Sequence, residues 1–364
     1  MAKKIFIAAT KQNDGKTSVA LGLIFNLRKT FKNIGFIKPV GQRYLEEDGF
    51  KIDEDSILIE ESFKLCGIKC KLKDMSPVAV ERGFTEDYIT RPNRQAITRQ
   101  IRDSFKRISQ KQDLVIIEGT GHAGVGSVFD HSNAQVAKLL GAKVILISSG
   151  GIGRPIDEIV LNKTLFEKAG TKLLGVIINK VMPEKFDKIN KLVRKGLCRK
   201  QVEVLGVIPY NPVLSYPTIR QILEETGFRM LSGYSDAPLE SRVAKIVIGA
   251  MQPKDAIKYI VDQSLIITPG DREDIMRLAL DSHKQGRRIS GIILTGDLMP
   301  GQEFINQLKD VSIPVILAKQ DTYTAASIVH DLTVKIRPTD TEKIEIVKQM
   351  TKGYVDLDMV MKRI

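Results

Sequence analysis

The stretch Ile5-Phe-Ile-Ala-Ala-Thr-Lys-Gln-Asn-Asp-Gly-Lys-Thr-Ser18 decides the fold, because it joins an apolar run to a loop that carries glycine and lysine. The apolar sequence Val19-Ala-Leu-Gly-Leu-Ile-Phe25 follows directly and favours a helix. A strand, a loop and a helix in this order bring backbone N–H groups and a helix N-terminus together, where they bind phosphate. The segment therefore predicts a phosphate-binding loop for a nucleotide, in preference to an ordinary Gly-Lys turn that opens a helix.

The residues of this loop have separate expected roles. Lys16 would supply a positive charge to the β and γ phosphate oxygens, and Thr17 would give its hydroxyl to Mg²⁺. Thr10 stands where the usual G-x-x-x-x-G-K-[ST] pattern has its first glycine. ATP with Mg²⁺ is the expected ligand. The predicted nucleotide contacts in the loop are Lys11, Asn13, Asp14, Gly15, Lys16, Thr17 and Ser18.

A second lysine, Lys11, precedes Lys16 on the opening limb of the loop. In this the loop resembles the deviant Walker A loops of Min/Par-type ATPases, in which a signature lysine reaches the nucleotide of a facing subunit. Gln12 and Asn13 replace the two glycines that usually follow that lysine. Two interpretations of Lys11 stay open, a contact across a homodimer and a solvated loop charge.

Length and composition describe a chain of two domains. Its 364 residues are 43% hydrophobic, which is ample for more than one core. No run approaches the ~20 apolar residues of a membrane span, and Met1-Ala-Lys-Lys4 leads into a strand without a signal-peptide core. A cytoplasmic protein without membrane contact is expected. Three cysteines, Cys66, Cys70 and Cys198, lack metal-ligand spacing and are expected to be reduced thiols.

The net charge of +13 raises the question of nucleic-acid binding. Basic residues concentrate in 91–112 and 184–200, where apolar residues recur at helical spacing. The charges therefore belong to the outer faces of two amphipathic helices, which solvent normally covers. The sequence has no recognition-helix motif, no zinc pattern and only 6% aromatic residues, so nucleic-acid binding is not predicted.

Apolar runs alternate with helical stretches along the chain, which predicts an α/β fold with a mostly parallel sheet. A first domain, 1–212, and a smaller α/β domain, 213–352, meet near the proline-rich segment 209–217, and 353–364 is a C-terminal tail. The predicted strands are 5–9, 34–37, 114–117, 143–147, 173–178 and 204–208, then 245–248, 264–267, 291–294 and 315–318. Helices are expected in the second half near 218–226, 272–284, 325–332 and 341–350.

Polar residues follow several predicted strands at their carboxyl ends, where open α/β sheets place ligands. Lys38 follows the second strand and suits an anionic group, while Glu118 follows the third at the Walker B position. Asp55 can give an oxygen to Mg²⁺, with Asp53 as the competing ligand. Asn179 follows the fifth strand, and its amide can pair with adenine. Taken singly, each also fits a turn, a helix cap or a loop.

These motifs resemble a known pair of domains. Residues 1 to about 210 look like the dethiobiotin-synthetase-like P-loop domain, and the second half is similar to a DRTGG domain. The first resemblance rests on the loop and on Gly35-Phe-Ile-Lys-Pro-Val40, Ile117-Glu-Gly-Thr-Gly121, Val176-Ile-Ile-Asn-Lys180 and Gly206-Val-Ile-Pro209; the second rests on Thr268-Pro-Gly-Asp-Arg-Glu-Asp274 and Ile292-Ile-Leu-Thr-Gly-Asp297. In this order the pair resembles the amino-terminal regulatory region of long-form bacterial phosphate acetyltransferases.

The resemblance implies roles at matching positions. Asn179 falls at the adenine-contacting position, and Pro209 joins the nucleotide-binding set. The DRTGG resemblance implies a regulatory, dimerising module. The acetyltransferase catalytic domain would follow residue 350, so acetyl transfer is not expected of this polypeptide by itself. The catalytic set is Lys16, Lys38 and Glu118, and the metal set is Thr17, Asp55 and Glu118.

The substrate side departs from the dethiobiotin-synthetase pattern. Gly41-Gln42 replaces the serine expected after Lys-Pro, and a polar set has no counterpart for an apolar diamine: His122, Asp130, His131 and Asn133. Two functions stay open. One is a regulatory Mg-ATP-binding protein linked to acetyl-phosphate metabolism through a separate acetyltransferase partner. The other is an ATP-dependent carboxylase-cyclase resembling dethiobiotin synthetase. The first is favoured, because the second domain has no role in such a ligase.

Overall fold

The computed structural model describes residues 2–64, 71–232, 236–309 and 312–364. The chain divides into two compact units, Met1–Tyr210 with Ile336–Ile364, and Asn211–Lys335. Cys66 and Cys70 lie outside the described residues, whereas Cys198 is an exposed free thiol. Within the described ranges, no helix has the length and apolar character that crossing a membrane requires.

The first unit alternates strands and helices. Its strands are β1 (Lys3–Ala9), β2 (Ile34–Ile37), β3 (Val40–Gly41), β4 (Tyr44–Glu47), β5 (Phe50–Asp53), β6 (Val78–Ala79), β7 (Leu114–Glu118), β8 (Lys143–Ser149), β9 (Leu173–Val181) and β10 (Val204–Pro209). The helices between them are α1 (Lys16–Leu27), α2 (Glu54–Lys64), α3 (Leu72–Met75), α4 (Phe84–Thr90), α5 (Arg94–Ser109), α6 (Asn133–Leu140), α7 (Arg154–Lys168) and α8 (Phe186–Cys198).

Six of these strands form a parallel sheet in the order β10-β9-β8-β1-β7-β2. The strands are apolar along most of their length because helices cover both faces of such a sheet. Ile5 of β1 lies opposite Ile116 of β7 and Lys143 of β8, so β1 occupies the middle. The predicted α/β fold is confirmed, and each strand predicted for this half is present, most of them longer by a few residues.

Between β2 and β7 the chain forms small structures that apolar periodicity does not predict. β4 pairs antiparallel with β5, and β3 pairs in parallel with β6. β4 is mostly exposed, so its sequence lacks the buried run that marks the other strands. The turn from β5 into α2 brings Asp53 and Asp55 into the interior.

The second unit is a smaller α/β structure. Its strands are β11 (Arg229–Ser232), β12 (Lys245–Ile248), β13 (Ser264–Pro269), β14 (Ile289–Thr295) and β15 (Val315–Leu317), and its helices are α9 (Ile219–Thr226), α10 (Asp236–Leu239), α11 (Pro253–Ala256), α12 (Glu273–Lys284), α13 (Gln302–Lys309) and α14 (Thr322–His330). The sheet order is β11-β15-β14-β13-β12, and only β11 is antiparallel to its neighbour. One apolar core contains Met276 and Phe304, and another contains Ile222 and Val329.

After the second unit, the chain returns to the first. Helices α15 (Thr341–Tyr354) and α16 (Leu357–Arg363) belong to the first unit. Asn26 of α1 donates to the Lys348 carbonyl at 3.0 Å, and Gly206 of β10 bridges to Val355. The structure thus divides differently from the predicted boundary at residue 352, because α15 buries its apolar face against α1 and β10.

Candidate functional site

The loop between β1 and α1 is held by its own side chains. Asp14 is buried, and its carboxylate accepts hydrogen bonds from the Thr10 hydroxyl and the Lys11 backbone N–H, both at 2.9 Å. Asn13 and Gly15 have positive φ of 65° and 92°. Thr10 therefore has a definite role, because its hydroxyl closes the loop on Asp14 where the usual pattern has glycine.

Two residues near the end of β9 fix the other side of the loop. The Asn179 amide donates to the Asp14 carbonyl at 2.9 Å, and the Lys180 ammonium donates to the Asn13 carbonyl at 2.7 Å. A Cβ on Gly15 would lie 2.3 Å from the Asn179 amide nitrogen. Asn179 thus braces the phosphate loop, a role that its sequence position does not reveal, and its adenine contact stays a prediction.

Lys16 and Thr17 begin α1 and face the carboxyl end of β7. Lys16 is 8% exposed, and its burial lowers the pKa of its ammonium, an effect that Glu118 opposes. Thr17 donates its hydroxyl to Glu118 Oε1 at 2.9 Å. Ser18 continues the first helical turn and is half-buried. The structure therefore brings together the predicted phosphate lysine, the predicted metal hydroxyl and the Walker B carboxylate.

Lys38 lies at the end of β2 among three carboxylates. Its ammonium contacts Asp53 Oδ1 at 3.0 Å and Glu118 Oε1 at 3.6 Å, and it donates a hydrogen bond to Asp55 Oδ2. Burial by itself lowers the pKa of Lys38, but the three carboxylates outweigh burial and raise that pKa above its ordinary value. Lys38 is therefore a charged group paired with three carboxylates.

Glu118 is the least satisfied charge of the cluster. Its side chain is 0% exposed, and Oε2 accepts no hydrogen bond from any described residue. Burial raises the pKa of Glu118 to about 7, although Lys38 acts in the opposite direction. A buried carboxylate oxygen without a donor costs free energy, which a bound cation would recover.

The predicted metal set fits Mg²⁺ by its chemistry. Thr17, Asp55 and Glu118 offer hard oxygen donors, the type that Mg²⁺ prefers, and the unpartnered Glu118 Oε2 provides a donor that no protein group uses. The described residues contain no ready-made group of three His, Cys, Asp or Glu ligands for a metal. Mg²⁺ usually takes one or two carboxylates together with phosphate oxygens and water.

Lys11 and Pro209 lie farther from the charged cluster. The Lys11 ammonium pairs with Glu158 of α7 at 3.0 Å within the same chain, and Arg154 also binds that carboxylate. The contact of Lys11 with a facing subunit stays a prediction. Pro209 ends β10 opposite Val181, and its nucleotide contact is equally untested.

The polar segment after β7 is engaged mostly with the protein itself. Asn133 donates to the Thr120 and His122 carbonyls and accepts from the Thr120 N–H, so it shapes the loop. His131 is buried and contacts the Thr98 hydroxyl at 2.9 Å, while Asp130 accepts from Tyr88. His122 is exposed, and its Nδ1 accepts a hydrogen bond from the Gly124 N–H at 3.2 Å.

In the second unit, Arg272 ties the strand-end loops together. Its guanidinium makes two hydrogen bonds to Asp274 and reaches the carbonyls of Gly249, Ala250 and Met251. Arg272 is also the N-cap position of α12, without a side-chain cap. Arg272 therefore connects the start of α12 to the loop that follows β12.

The parallel sheet, the loop and the Lys16–Thr17–Glu118 constellation define the P-loop NTPase class of fold. The chain belongs to the family described as an AAA domain, which matches residues 3–218, and a DRTGG domain matches residues 221–332. The expected pairing of a P-loop domain with a DRTGG domain is thus confirmed.

The chain is also similar to curated phosphate acetyltransferases. It is 26% identical to that of Nitratidesulfovibrio vulgaris and 25% identical to that of Pseudomonas putida, in both cases over 98% of this chain and 51% of the relative. It thus spans about half the length of the curated relatives it matches.

Among solved structures, the septum site-determining protein MinD of Pyrococcus horikoshii, complexed with Mg-ADP, is 17% identical with a TM-score of 0.37, covering 59% of this chain and 84% of that one. The CBS and DRTGG domains of the Clostridium perfringens pyrophosphatase regulatory region, complexed with diadenosine tetraphosphate, are 19% identical with a TM-score of 0.29, covering 48% of this chain and 86% of that one.

Proposed function

We propose that this protein binds Mg-ATP at the loop 10–17 and regulates acetyl-phosphate metabolism through its DRTGG domain. One observation carries the nucleotide assignment: Lys16, Thr17 and the Walker B residue Glu118 meet at the start of α1, with a buried carboxylate oxygen left without a donor. A phosphate anion would pair with Lys16 and the helix N-terminus, and a cation bound to it would pair with the Glu118 oxygen that has no donor.

Each residue of the site has a part in nucleotide binding. The α1 N-terminus and the loop N–H groups would bind phosphate oxygens, and Lys16 would neutralise the β and γ oxygens. Thr17, Asp55 and Glu118 would hold Mg²⁺, which when bound supplies positive charge to the phosphates. Asn179 keeps Asp14 in place, so the loop is organised before nucleotide arrives.

Similarity to phosphate acetyltransferases over nearly the whole chain supports the metabolic link. In the proposal, nucleotide binding shifts the conformational equilibrium of a homodimer or of a complex with a separately encoded acetyltransferase. Such coupling is typically ~1–3 kcal/mol. Hydrogen exchange with and without Mg-ATP tests this: we expect altered protection within 264–300. Protection confined to the first unit, with an unchanged sedimentation profile, would remove the mechanism.

The alternative, a carboxylase-cyclase resembling dethiobiotin synthetase, draws support from Lys38 beside Glu118. However, the Lys38 ammonium already pairs with Asp53 and Asp55, which weakens its capacity to attract a carbamate. Diaminopelargonate with bicarbonate should therefore fail to stimulate ATP hydrolysis. Release of dethiobiotin at ordinary enzyme rates would instead establish the ligase.

Calorimetric titration with Mg-ATP tests the nucleotide site directly. Lys16→Ala should weaken binding by at least about tenfold, because a buried cation at the phosphates is lost. Lys106→Ala removes an exposed lysine of α5 and should leave affinity unchanged. Equal affinity of the wild type and Lys16→Ala would refute the assignment.

A further inference from the structure

The charged cluster around Lys38 contains one more carboxylate than the predicted metal set. Asp53 and Asp55 face the cations of Lys16 and Lys38, and Glu118 adds a third negative charge when it ionises, all on side chains that are at most 8% exposed. Buried charges must be paired, because an isolated one costs several kcal/mol. The role of Asp53 therefore depends on what the other two carboxylates bind.

Asp53 contacts both Lys38 and a metal ligand. Its Oδ1 lies 3.0 Å from the Lys38 ammonium and accepts the Asp55 backbone N–H at 3.0 Å. The Ser76 hydroxyl accepts the Asp53 N–H at 3.0 Å, which anchors the end of β5. Asp53 is thus fixed by the backbone and orients the first turn of α2, where Asp55 lies.

Gly41 makes room for this carboxylate. A Cβ at position 41 would lie 2.6 Å from Asp53 Oδ2 and 2.7 Å from Asp53 Cβ. Gly41 stands where the dethiobiotin-synthetase resemblance predicts a serine nearby. The space beside this glycine is filled by the Asp53 side chain from β5.

We propose that Asp53 is a positioning residue that keeps the Lys38 ammonium paired when Asp55 and Glu118 turn to Mg²⁺, which makes Lys38 the internal counter-ion of the metal-binding carboxylates. The inference rests on the proposed function, since it concerns the same Mg-nucleotide site. Without Asp53, Lys38 would become a buried cation whose partners are shared with the metal. With Asp53 in place, Asp55 and Glu118 can bind the metal while the Lys38 ammonium keeps one carboxylate partner.

The same pairing restricts the ligand that Lys38 can serve. In the loaded state the Lys38–Asp53 pair is close to neutral, so a carbamate or another singly charged substrate gains little by approaching it. The γ-phosphate, with its higher charge and a bound cation, remains attracted to Lys16 and the helix N-terminus. Asp53 therefore favours a site that senses nucleotide over one that activates a small acid.

Two titrations of the full chain test this role. Mn²⁺ affinity is followed by electron paramagnetic resonance in saturating ADP, and ADP affinity is measured by calorimetry in EDTA. Asp53→Asn should weaken Mn²⁺ binding about 10- to 100-fold, the range for residues that support metal ligands, and leave metal-free ADP affinity unchanged. Asp74→Asn, which removes another buried carboxylate paired with Arg107 at 2.8 Å, should change neither.

Gly41→Ala provides a second variant in case Asp53→Asn does not fold. It leaves the charges in place but displaces Asp53, so it should weaken Mn²⁺ binding in the same direction. Unchanged Mn²⁺ affinity in both variants would overturn the proposal, as would a parallel loss of metal-free ADP binding, which indicates only structural damage. If the wild type binds neither ADP nor Mn²⁺, the proposed function itself has failed.

Discussion

The two sheets differ in how charge is arranged at the carboxyl ends of their parallel strands. In the first unit, Lys16, Lys38 and Glu118 are buried, and Glu118 keeps an oxygen without a donor among the described residues. In the second unit, the side chains of Arg272 and Asp274 are 29% and 46% exposed and bind each other in a two-point contact. At the first edge a buried carboxylate oxygen lacks a hydrogen-bond donor among the described residues, whereas at the second edge the charged side chains bind each other and the neighbouring loop.

The two edges also differ in what their loop glycines pack against. A Cβ on Gly270, after β13, would lie 1.8 Å from the Leu298 carbonyl oxygen, so the loops after β13 and β14 are in contact with no space between them. The phosphate loop instead has its glycine against the buried Asn179 side chain, whose amide holds the Asp14 carbonyl. The comparison teaches that similar sheets need not carry similar arrangements of charge at the ends of their strands.

Glycine substitutions in the two units should differ most in their effect on nucleotide affinity. Gly15→Ala places a Cβ against the Asn179 amide at a φ of 92°, so we expect loss of nucleotide affinity by about 100-fold or more. Gly227→Ala at the end of α9, with φ of 67° and nothing within 4 Å of the added Cβ, is the matched control. It should cost about 1 kcal/mol of stability and leave calorimetric ATP affinity unchanged.

Removing the buried carboxylate should alter the pH dependence of stability. Folding raises the pKa of Glu118 from 4.5 to about 7, so unfolding releases a proton in that window and wild-type stability falls as pH rises through it. Glu118→Gln should remove this loss, becoming more stable than the wild type above pH 7 by about 1–3 kcal/mol. Urea unfolding at pH 5 and pH 8 measures the difference, and identical pH profiles would contradict it.

The carboxylate at the other edge should behave with the opposite sign. The Arg272 hydrogen bond holds the pKa of Asp274 below its ordinary 3.8, so its stabilising contribution is present above that pH and is lost as pH falls. Asp274→Asn should therefore reduce stability at neutral pH and converge with the wild type in acid. An acid titration of unfolding free energy distinguishes this from a simple packing defect, which would persist at low pH.

A smaller effect is expected from Arg272→Lys. Lysine keeps the charge but cannot form the two-point contact with Asp274 or span the carbonyls of the β12 loop, so we expect a loss of about 1 kcal/mol. Arg288→Lys, at a pair with Asp262 whose side chains are 71% and 52% exposed, should cost less. Denaturant midpoints compare them, and nucleotide affinity should not change in either variant.

Local patterns in the sequence predict the framework and the centre of the site. Buried parallel strands are long apolar runs, and a phosphate loop is contiguous, so β1, the loop and α1 can be recognised from residues 5–25 alone. Lys38 and Glu118 were expected together because strand ends of a parallel sheet meet at one edge, and the structure places them 3.6 Å apart.

What the sequence did not predict depends on tertiary pairing. Asp53 reaches Lys38 only because the exposed β4–β5 hairpin turns back, and β4 has no apolar run to reveal it. Asn179 matched an adenine-contacting position, yet its donor meets the Asp14 carbonyl. Amphipathic spacing correctly predicted a helix near 341–350 but could not tell which unit its apolar face covers.

The return of α15 to the first unit has a consequence for biosynthesis. Ribosomes deliver the chain from its amino end, so the first unit lacks α15 and α16 until residues 341–363 emerge, after the whole second unit. Until then Gly22 of α1 lacks the Thr351 side chain that packs against it in the folded protein. The second unit is thus synthesised in full before the segment that completes the first unit, and a chain arrested near residue 335 would lack α15 and α16.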